Sequence, residues 1–361
     1  MSDLMGMAKQ KTAMVVAGGT GGHIFPGLAV AKELSNNDWD VIWLGTSKGM
    51  ESIIIPKNNL KFESIQFSGL RGKGLTTWLL LPVRLFKAFS QSAKIIFKIK
   101  PDVILGFGGY VTFPAGITGR LLGIPLLLHE QNSVAGLSNS TLAILATKVY
   151  TAFPDVINHA YWVGNPLRFE FSQQAEPENR FANRQGPLKI LVIGGSLGAK
   201  FLNEIIPQTI NLLSKNNRPY VTHQSGNDQF DELQENYNKL HIQAELKPFI
   251  ENTAIAFADA DLVICRSGAS TVTELASIGV AAIFIPLPSA VDDHQTKNAM
   301  YLVQNDAGWL VKQENLTPQK LANLISTLDR STLLLTAIKA KKMHKQGALK
   351  ALVDACEDLI K

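Results

Sequence analysis

Apolar residues along the chain gather in short, unalternating runs rich in Val, Ile and Leu, separated by longer stretches in which apolar positions return every three or four residues. An unalternating run fits a strand covered on both faces, and the three-to-four spacing fits an amphipathic helix. The runs at 12–17, 41–44, 103–105, 125–129 and 148–150 predict five strands in the first half, and those at 188–193, 220–222, 243–246, 261–265 and 281–285 five in the second. Strands alternating with helices imply parallel sheets, so the pattern predicts two α/β domains. Between the two series, residues 169–187 are rich in Gln, Glu, Asn and Arg and read as a linker, with Gly164-Asn165-Pro166 ahead of them as a turn or hinge. The boundary therefore falls at 167, giving an N-terminal domain 1–167 and a C-terminal domain 168–340. The final stretch, 341–361, has helical spacing and is expected to pack back on the first domain.

Bulk properties narrow this only slightly. A length of 361 residues suits two domains, and 46% hydrophobic with 18% charged residues excludes a disordered chain. No basic segment leading into a long apolar stretch opens the chain, and no run approaches the ~20 residues that cross a bilayer, so a soluble or peripheral protein is expected. The net charge of +5 admits nucleic acid, an anionic membrane or a phosphorylated substrate as partner. Cys265 and Cys356 are too few for a disulfide framework and fit a reducing compartment.

Three glycine loops follow strands: Gly18-Gly19-Thr20-Gly21-Gly22-His23, Gly106-Phe107-Gly108-Gly109-Tyr110 and Gly194-Gly195-Ser196-Leu197-Gly198-Ala199. Glycine lets backbone turn sharply and approach a ligand, and the helix N-terminus behind each loop offers amides to phosphate. A tight turn without a ligand is the plain alternative for any one loop. Three of them at the carboxyl ends of strands favour ligands. The loops do not have a dinucleotide format, because the strand at 41–44 runs out in Leu44-Gly45-Thr46-Ser47 with no acid. No lysine follows the glycines, which excludes a P-loop.

In the second half, Arg266-Ser267-Gly268-Ala269-Ser270-Thr271-Val272-Thr273-Glu274 opens a helix with small and hydroxylated residues. It suits a diphosphate, with Glu274 placed to accept ribose hydroxyls, or it is simply a capped surface helix. Asp292-Asp293-His294-Gln295, with Asn298, carries the same two readings for sugar hydroxyls. Asp259-Ala260-Asp261 precedes its strand and reads as a helix end and turn, so neither metal nor cofactor is expected.

Taken in order, Gly18 to Ala29, Gly106 to Tyr110, His129-Glu130-Gln131-Asn132, Gly164-Asn165-Pro166 with Arg168, Gly194 to Ala199, Arg266 to Glu274 and Asp293 to Asn298 resemble a bacterial peptidoglycan glycosyltransferase family, glycosyltransferase family 28, over nearly the whole chain. The resemblance implies the GT-B architecture, two Rossmann-like domains with parallel sheets and an interdomain cleft. It implies transfer of N-acetylglucosamine from its UDP donor to undecaprenyl-pyrophosphoryl-N-acetylmuramyl-pentapeptide (lipid I), with inversion, to make lipid II for the cell wall. It places Ser196, Ala269, Ser270, Thr271, Val272 and Thr273 at the donor diphosphate, Glu274 at the ribose, the Ile250 backbone at uracil and Gln295 at the sugar. Thr20, Gly21, Gly22, Asn132 and Arg168 would complete the donor site, and Gly18, Gly19, Gly108, Gly109 and Tyr110 would face the acceptor pyrophosphate. Leu197 stands where members often have glutamine, which leaves the loop only its backbone role there. Inversion needs a base for the acceptor hydroxyl; His23 is the first candidate, with His129 and Glu130 behind it.

From 70 to 100 the chain has no acidic residue, and Trp78, Leu79, Leu80, Leu81, Arg84, Phe86 and Lys87 form an apolar and basic segment. It suits docking on anionic phospholipid, or else a core helix with solvated lysines. The resemblance implies a place on the cytoplasmic face of the plasma membrane and no nucleic acid, and it leaves room for other cell-wall synthesis or division proteins as partners without naming any. Two further classes fit the loops: a different enzyme on the same donor, such as an epimerase or glycolipid synthase, and a non-catalytic nucleotide-binding scaffold.

Overall fold

Strands buried on both faces need helices above and below, and the Val/Ile/Leu runs become the middle of two such parallel sheets. The computed structural model describes residues 10–67, 80–195 and 197–360. Trp78, Leu79 and Ser196 lie outside the described residues. The chain divides into two compact units, Met1–Leu167 with Gln346–Lys361, and Arg168–Lys345.

The first unit holds β1 (Thr12–Ala17), β2 (Asp40–Thr46), β3 (Lys61–Ile65), β4 (Val103–Gly108), β5 (Leu126–Glu130), β6 (Lys148–Thr151) and β7 (Tyr161–Trp162). They form one parallel sheet in the order β3-β2-β1-β4-β5-β6-β7. Alternate residues of β1 serve opposite faces: Ala13, Val15 and Ala17 pack with the helix Gly21–Asn36, while Met14 and Val16 join Ala88 and Ile96 of the helix Leu81–Ile99. The helix Ala348–Leu359 adds Leu352, Val353 and Cys356 to the first of these faces. Its Glu357 accepts from Trp39 Nε1 at 2.7 Å and pairs with Lys11. The return to this unit comes at Gln346, later than the 341 read from the sequence, because the helix Arg330–Lys342 buries Leu333, Ala337 and Ala340 in the second unit.

The second unit holds β8 (Lys189–Ile193), β9 (Tyr220–Gln224), β10 (Glu245–Lys247), β11 (Leu262–Cys265), β12 (Ala281–Phe284) and β13 (Trp309–Leu310), parallel and ordered β10-β9-β8-β11-β12-β13. The pattern of apolar runs misses β3, β7 and β13. All three are edge strands, which need not be apolar on both faces. Residues 169–187 are no loose linker either. Phe171 and Phe181 are buried, Arg180 donates to the Ala258 and Ile278 carbonyls, and Arg184 to those of Ala258 and Ala260. Two of its arginines close helix ends, while most of its other polar residues remain exposed.

Candidate functional site

In each sheet the order reverses beside the first strand of the unit, between β1 and β4 and between β8 and β11. Strand crossovers leave that point open at the carboxyl ends, where ligands of α/β sheets bind. The glycine loops stand there.

In the first unit the loops after β1 and β4 touch. Gly109 has φ +84°, and a Cβ on it would lie 2.2 Å from the Gly18 carbonyl oxygen, so only glycine allows this approach. A Cβ on Gly108 would lie 3.1 Å from His23 Nε2, which places the His23 ring over the second loop. Thr20 precedes the helix Gly21–Asn36 with extended backbone and no side-chain cap; its hydroxyl lies 3.3 Å from His23 Nδ1. Gly19, Gly21 and Gly22 complete this turn, and Tyr110 stands exposed after the second loop.

A residue that the sequence reading passed over shapes the first loop. Glu51, at the start of the helix Glu51–Lys57, is fully buried. Its carboxylate accepts from Gly19 N at 3.3 Å, Thr46 N at 2.9 Å and Thr46 Oγ1 at 2.7 Å. A Cβ on Gly18, Gly45 or Gly49 would lie within 2.7 Å of this side chain. The acid missing from the end of β2 is thus supplied five residues later, and it holds the loop instead of a ribose. The signal was there in Gly45 and Gly49, which make room for it, and in Thr46, which donates to it.

The two runner-up bases have other work. His129 is buried, and its Nε2 donates to the Gly164 carbonyl at 2.9 Å while Nδ1 accepts from Gln131 Nε2 at 3.1 Å. Burial holds its pKa down at about 4, against the opposing Gly164 bond. Neither nitrogen is left for an acceptor proton. The Glu130 carboxylate accepts from Asn132 N, Asn132 Nδ2, Gly136 N and Asn139 Nδ2 at 2.9–3.3 Å, so it organises the turn that carries Asn132. His23 remains the candidate base.

In the second unit, the helix Ala269–Ile278 begins at Gly268 with extended backbone and no side-chain cap. The capped surface helix is therefore not what forms. The amides of its first turn thus have no side-chain cap, and the buried Ser267 and Ser270 hydroxyl oxygens have no hydrogen-bond partner. Ala269 and Val272 are buried and the Thr273 hydroxyl donates to the Ala269 carbonyl at 2.9 Å, so these three can offer a diphosphate backbone only, with Ser270 and Thr271 as the hydroxyl-bearing positions. The Glu274 carboxyl is pushed up to about 7 by burial, opposed by the charge of Arg168. Arg168 belongs to this second unit, where it donates to Thr253 Oγ1 at 2.9 Å and lies over the Phe171 ring.

Ile250 N donates to Gln224 Oε1 at 3.3 Å, and Gln224 Nε2 to the Gly195 carbonyl at 2.8 Å. Gln295 accepts from Leu287 N at 2.9 Å, which leaves its amide NH2 as the group it presents. Asp292 and Asp293, just before it, both have positive φ, an unfavourable pair for non-glycine residues. Asp293 makes no side-chain cap for the helix His294–Val303, so capping does not account for it. Asp261 is buried between Arg184 (2.6 Å) and Arg330 (3.2 Å) and ties down the start of β8 through Lys189 N, a structural use of that acid.

Family models match both halves: the glycosyltransferase family 28 N-terminal domain over residues 13–151 and the family 28 C-terminal domain over 189–355. A UDP-N-acetylglucosamine–N-acetylmuramyl-(pentapeptide) pyrophosphoryl-undecaprenol N-acetylglucosamine transferase from Polaromonas naphthalenivorans is 56% identical over 359 residues, covering 98% of this chain and 99% of the relative. The enzyme of the same name from Paracidovorax citrulli is 55% identical over 353 residues, covering 98% and 99%. The crystal structure of Acinetobacter baumannii MurG superposes with a TM-score of 0.82 at 39% identity, over 96% of this chain and 99% of that one. Both sheets, both sets of loops and these full-length matches agree: the chain is a GT-B glycosyltransferase and belongs to glycosyltransferase family 28.

Proposed function

We propose that this glycosyltransferase moves N-acetylglucosamine from UDP-N-acetylglucosamine, with inversion, to the 4-hydroxyl of the muramyl sugar of lipid I, forming lipid II. The relatives of matching length carry the name of that reaction. The observation that carries the reading is the uncapped start of the helix Ala269–Ile278, with two unpartnered serine hydroxyls beside it and Glu274 further along the same helix. A diphosphate leaving group needs just such a cluster of amides and hydroxyls, and a ribose needs a carboxylate set back from it.

On this reading the second unit binds the donor. First-turn amides with Ser270 and Thr271 take the diphosphate, Glu274 takes the ribose hydroxyls, the Ile250 backbone takes uracil and the Gln295 amide donates to the sugar. The touching loops of the first unit, with Tyr110, take the acceptor pyrophosphate. The acceptor oxygen attacks the anomeric carbon as its bond to UDP breaks, and His23 accepts the hydroxyl proton. Negative charge growing on UDP is met by the helix start.

A lipid-linked acceptor brings the enzyme to a surface. No helix among the described residues is long and apolar enough to cross a membrane. The helix Leu81–Ile99 turns Ala88, Ser92 and Ile96 inward at four-residue spacing, while Leu80, Val83 and Phe86 stand exposed at its start beside Arg84 and Lys87. We read this end as the contact with anionic phospholipid on the cytoplasmic side. The test is transfer of labelled N-acetylglucosamine to lipid I, with and without chelator. Labelled lipid II in both arms is expected. No transfer to lipid I overturns the reading, and loss of activity with chelator overturns the helix start as the main support of the leaving group.

A further inference from the structure

We propose that Gln224 is a positioning residue that locks the diphosphate loop to the nucleobase loop and thereby sets which base the donor site accepts. The proposal rests on the reading of the second unit as the UDP-sugar site. Gln224 closes β9 and is buried between two neighbouring strand ends. One end of its amide holds the Gly195 carbonyl at 2.8 Å, in the glycine loop after β8. The other accepts the Ile250 N–H at 3.3 Å, in the turn after β10. A carbonyl requires a donor and an N–H an acceptor, so one orientation of the amide satisfies both and the flipped one satisfies neither.

The surrounding backbone leaves little slack. Ser225 N donates to the Lys247 carbonyl at 3.0 Å, and Gly226 N to that of Pro248 at 3.1 Å. On the other side, a Cβ on Gly198 would fall 1.8 Å from the Ser225 carbonyl oxygen, and one on Gly226 2.3 Å from that of Leu197. Asn203 donates to the Ser225 carbonyl at 3.0 Å, and Gln229 to that of Leu197 at 3.0 Å. The turns after β8, β9 and β10 therefore form one block, and Gln224 reaches from its middle to the peptides that would meet phosphate on one side and base on the other. Without the amide, each loop is free to settle separately, and a base mismatch is no longer transmitted to the diphosphate.

The experiment compares wild type with Gln224→Met, which keeps the side-chain length without the amide, and Gln224→Glu, which keeps the acceptor for Ile250 N but loses the donor to Gly195. Donor and acceptor KM, kcat, and competition by UDP against CDP are measured on samples matched for Tm. Loss of two buried hydrogen bonds predicts a rise of about tenfold in donor KM for Gln224→Met, acceptor KM within about twofold, and a weaker preference for UDP over CDP. Gln224→Glu, which breaks the link to Gly195 while keeping the bond from Ile250 N, is expected to weaken the UDP preference as well. An unchanged donor KM and UDP preference in a folded Gln224→Met overturns the proposal, as does an equal rise in both KM values, which marks general loosening. A wild type that binds no UDP overturns the donor-site reading and this proposal with it; UDP binding with unaltered preference in the variants overturns the lock alone.

Discussion

His23 and Glu274 make opposite demands on their surroundings. A base must be reachable, and the His23 ring lies over Gly108 with its Nδ1 near the Thr20 hydroxyl. His23→Ala is expected to lower kcat by about 100-fold or more, the usual loss of a general base, with UDP affinity within about twofold in a calorimetric titration. Unchanged turnover removes His23 from that role. Glu274 must be ionised to accept ribose hydroxyls, yet burial holds its pKa at about 7. Below that value the carboxyl is protonated and presents a donor where an acceptor is needed. UDP affinity relative to Glu274→Gln should therefore rise as pH increases from about 6 to 8 and level off above, with protons released on binding. The ratio cancels the titration of UDP itself, and a ratio flat with pH would reject the assignment. Residues of this kind were legible because loops and helix starts have local signatures. Glu51 was not, since its partners Gly19 and Thr46 come from other segments and only folding brings them to it. Gln224 escaped notice for the same reason.

At the level of elements, apolar periodicity located the buried strands and the edge strand β10 but missed the other three edges, among them β3, which keeps Lys61 and Glu63 in ion pairs with Asp40 and Lys98. It also failed for 169–187, because a composition rich in Arg and Glu looks alike whether it is solvated or spent on helix-end carbonyls. The helix Leu81–Ile99 was ambiguous between core and membrane, and it shows both characters: the buried stripe begins at Ala88, exposed Leu80, Val83 and Phe86 cluster before it, and a lone Phe97 is exposed near the other end. Phe86→Ser with Lys87→Glu should therefore weaken binding to anionic vesicles by about tenfold or more, from lost apolar contact and reversed charge, while turnover on a short-chain soluble acceptor stays near wild type. Vesicle co-sedimentation at two salt concentrations reads the first effect. Equal binding by variant and wild type would mean that this end of the helix is not the contact.

For the molecule as a whole, the first unit is not one continuous piece of chain. Its sheet is finished by the helix Ala348–Leu359, which buries Leu352, Val353 and Cys356 and anchors Trp39 through Glu357. A chain cut after Lys345 keeps every residue of the second unit. It should lose the cooperative unfolding transition of the first unit, or shift it to much lower denaturant, while UDP binding to the second unit persists; hydrogen exchange on β1 and on β8 would follow the two separately. Survival of protection on β1 would show the helix to be dispensable. The arrangement also has a bearing on synthesis. On the ribosome the second unit is complete before residues 346–360 are made, so the half that is translated first is the half that finishes folding last. Until then it carries an open apolar face, and the chaperone demand of this enzyme should fall on its amino-terminal half.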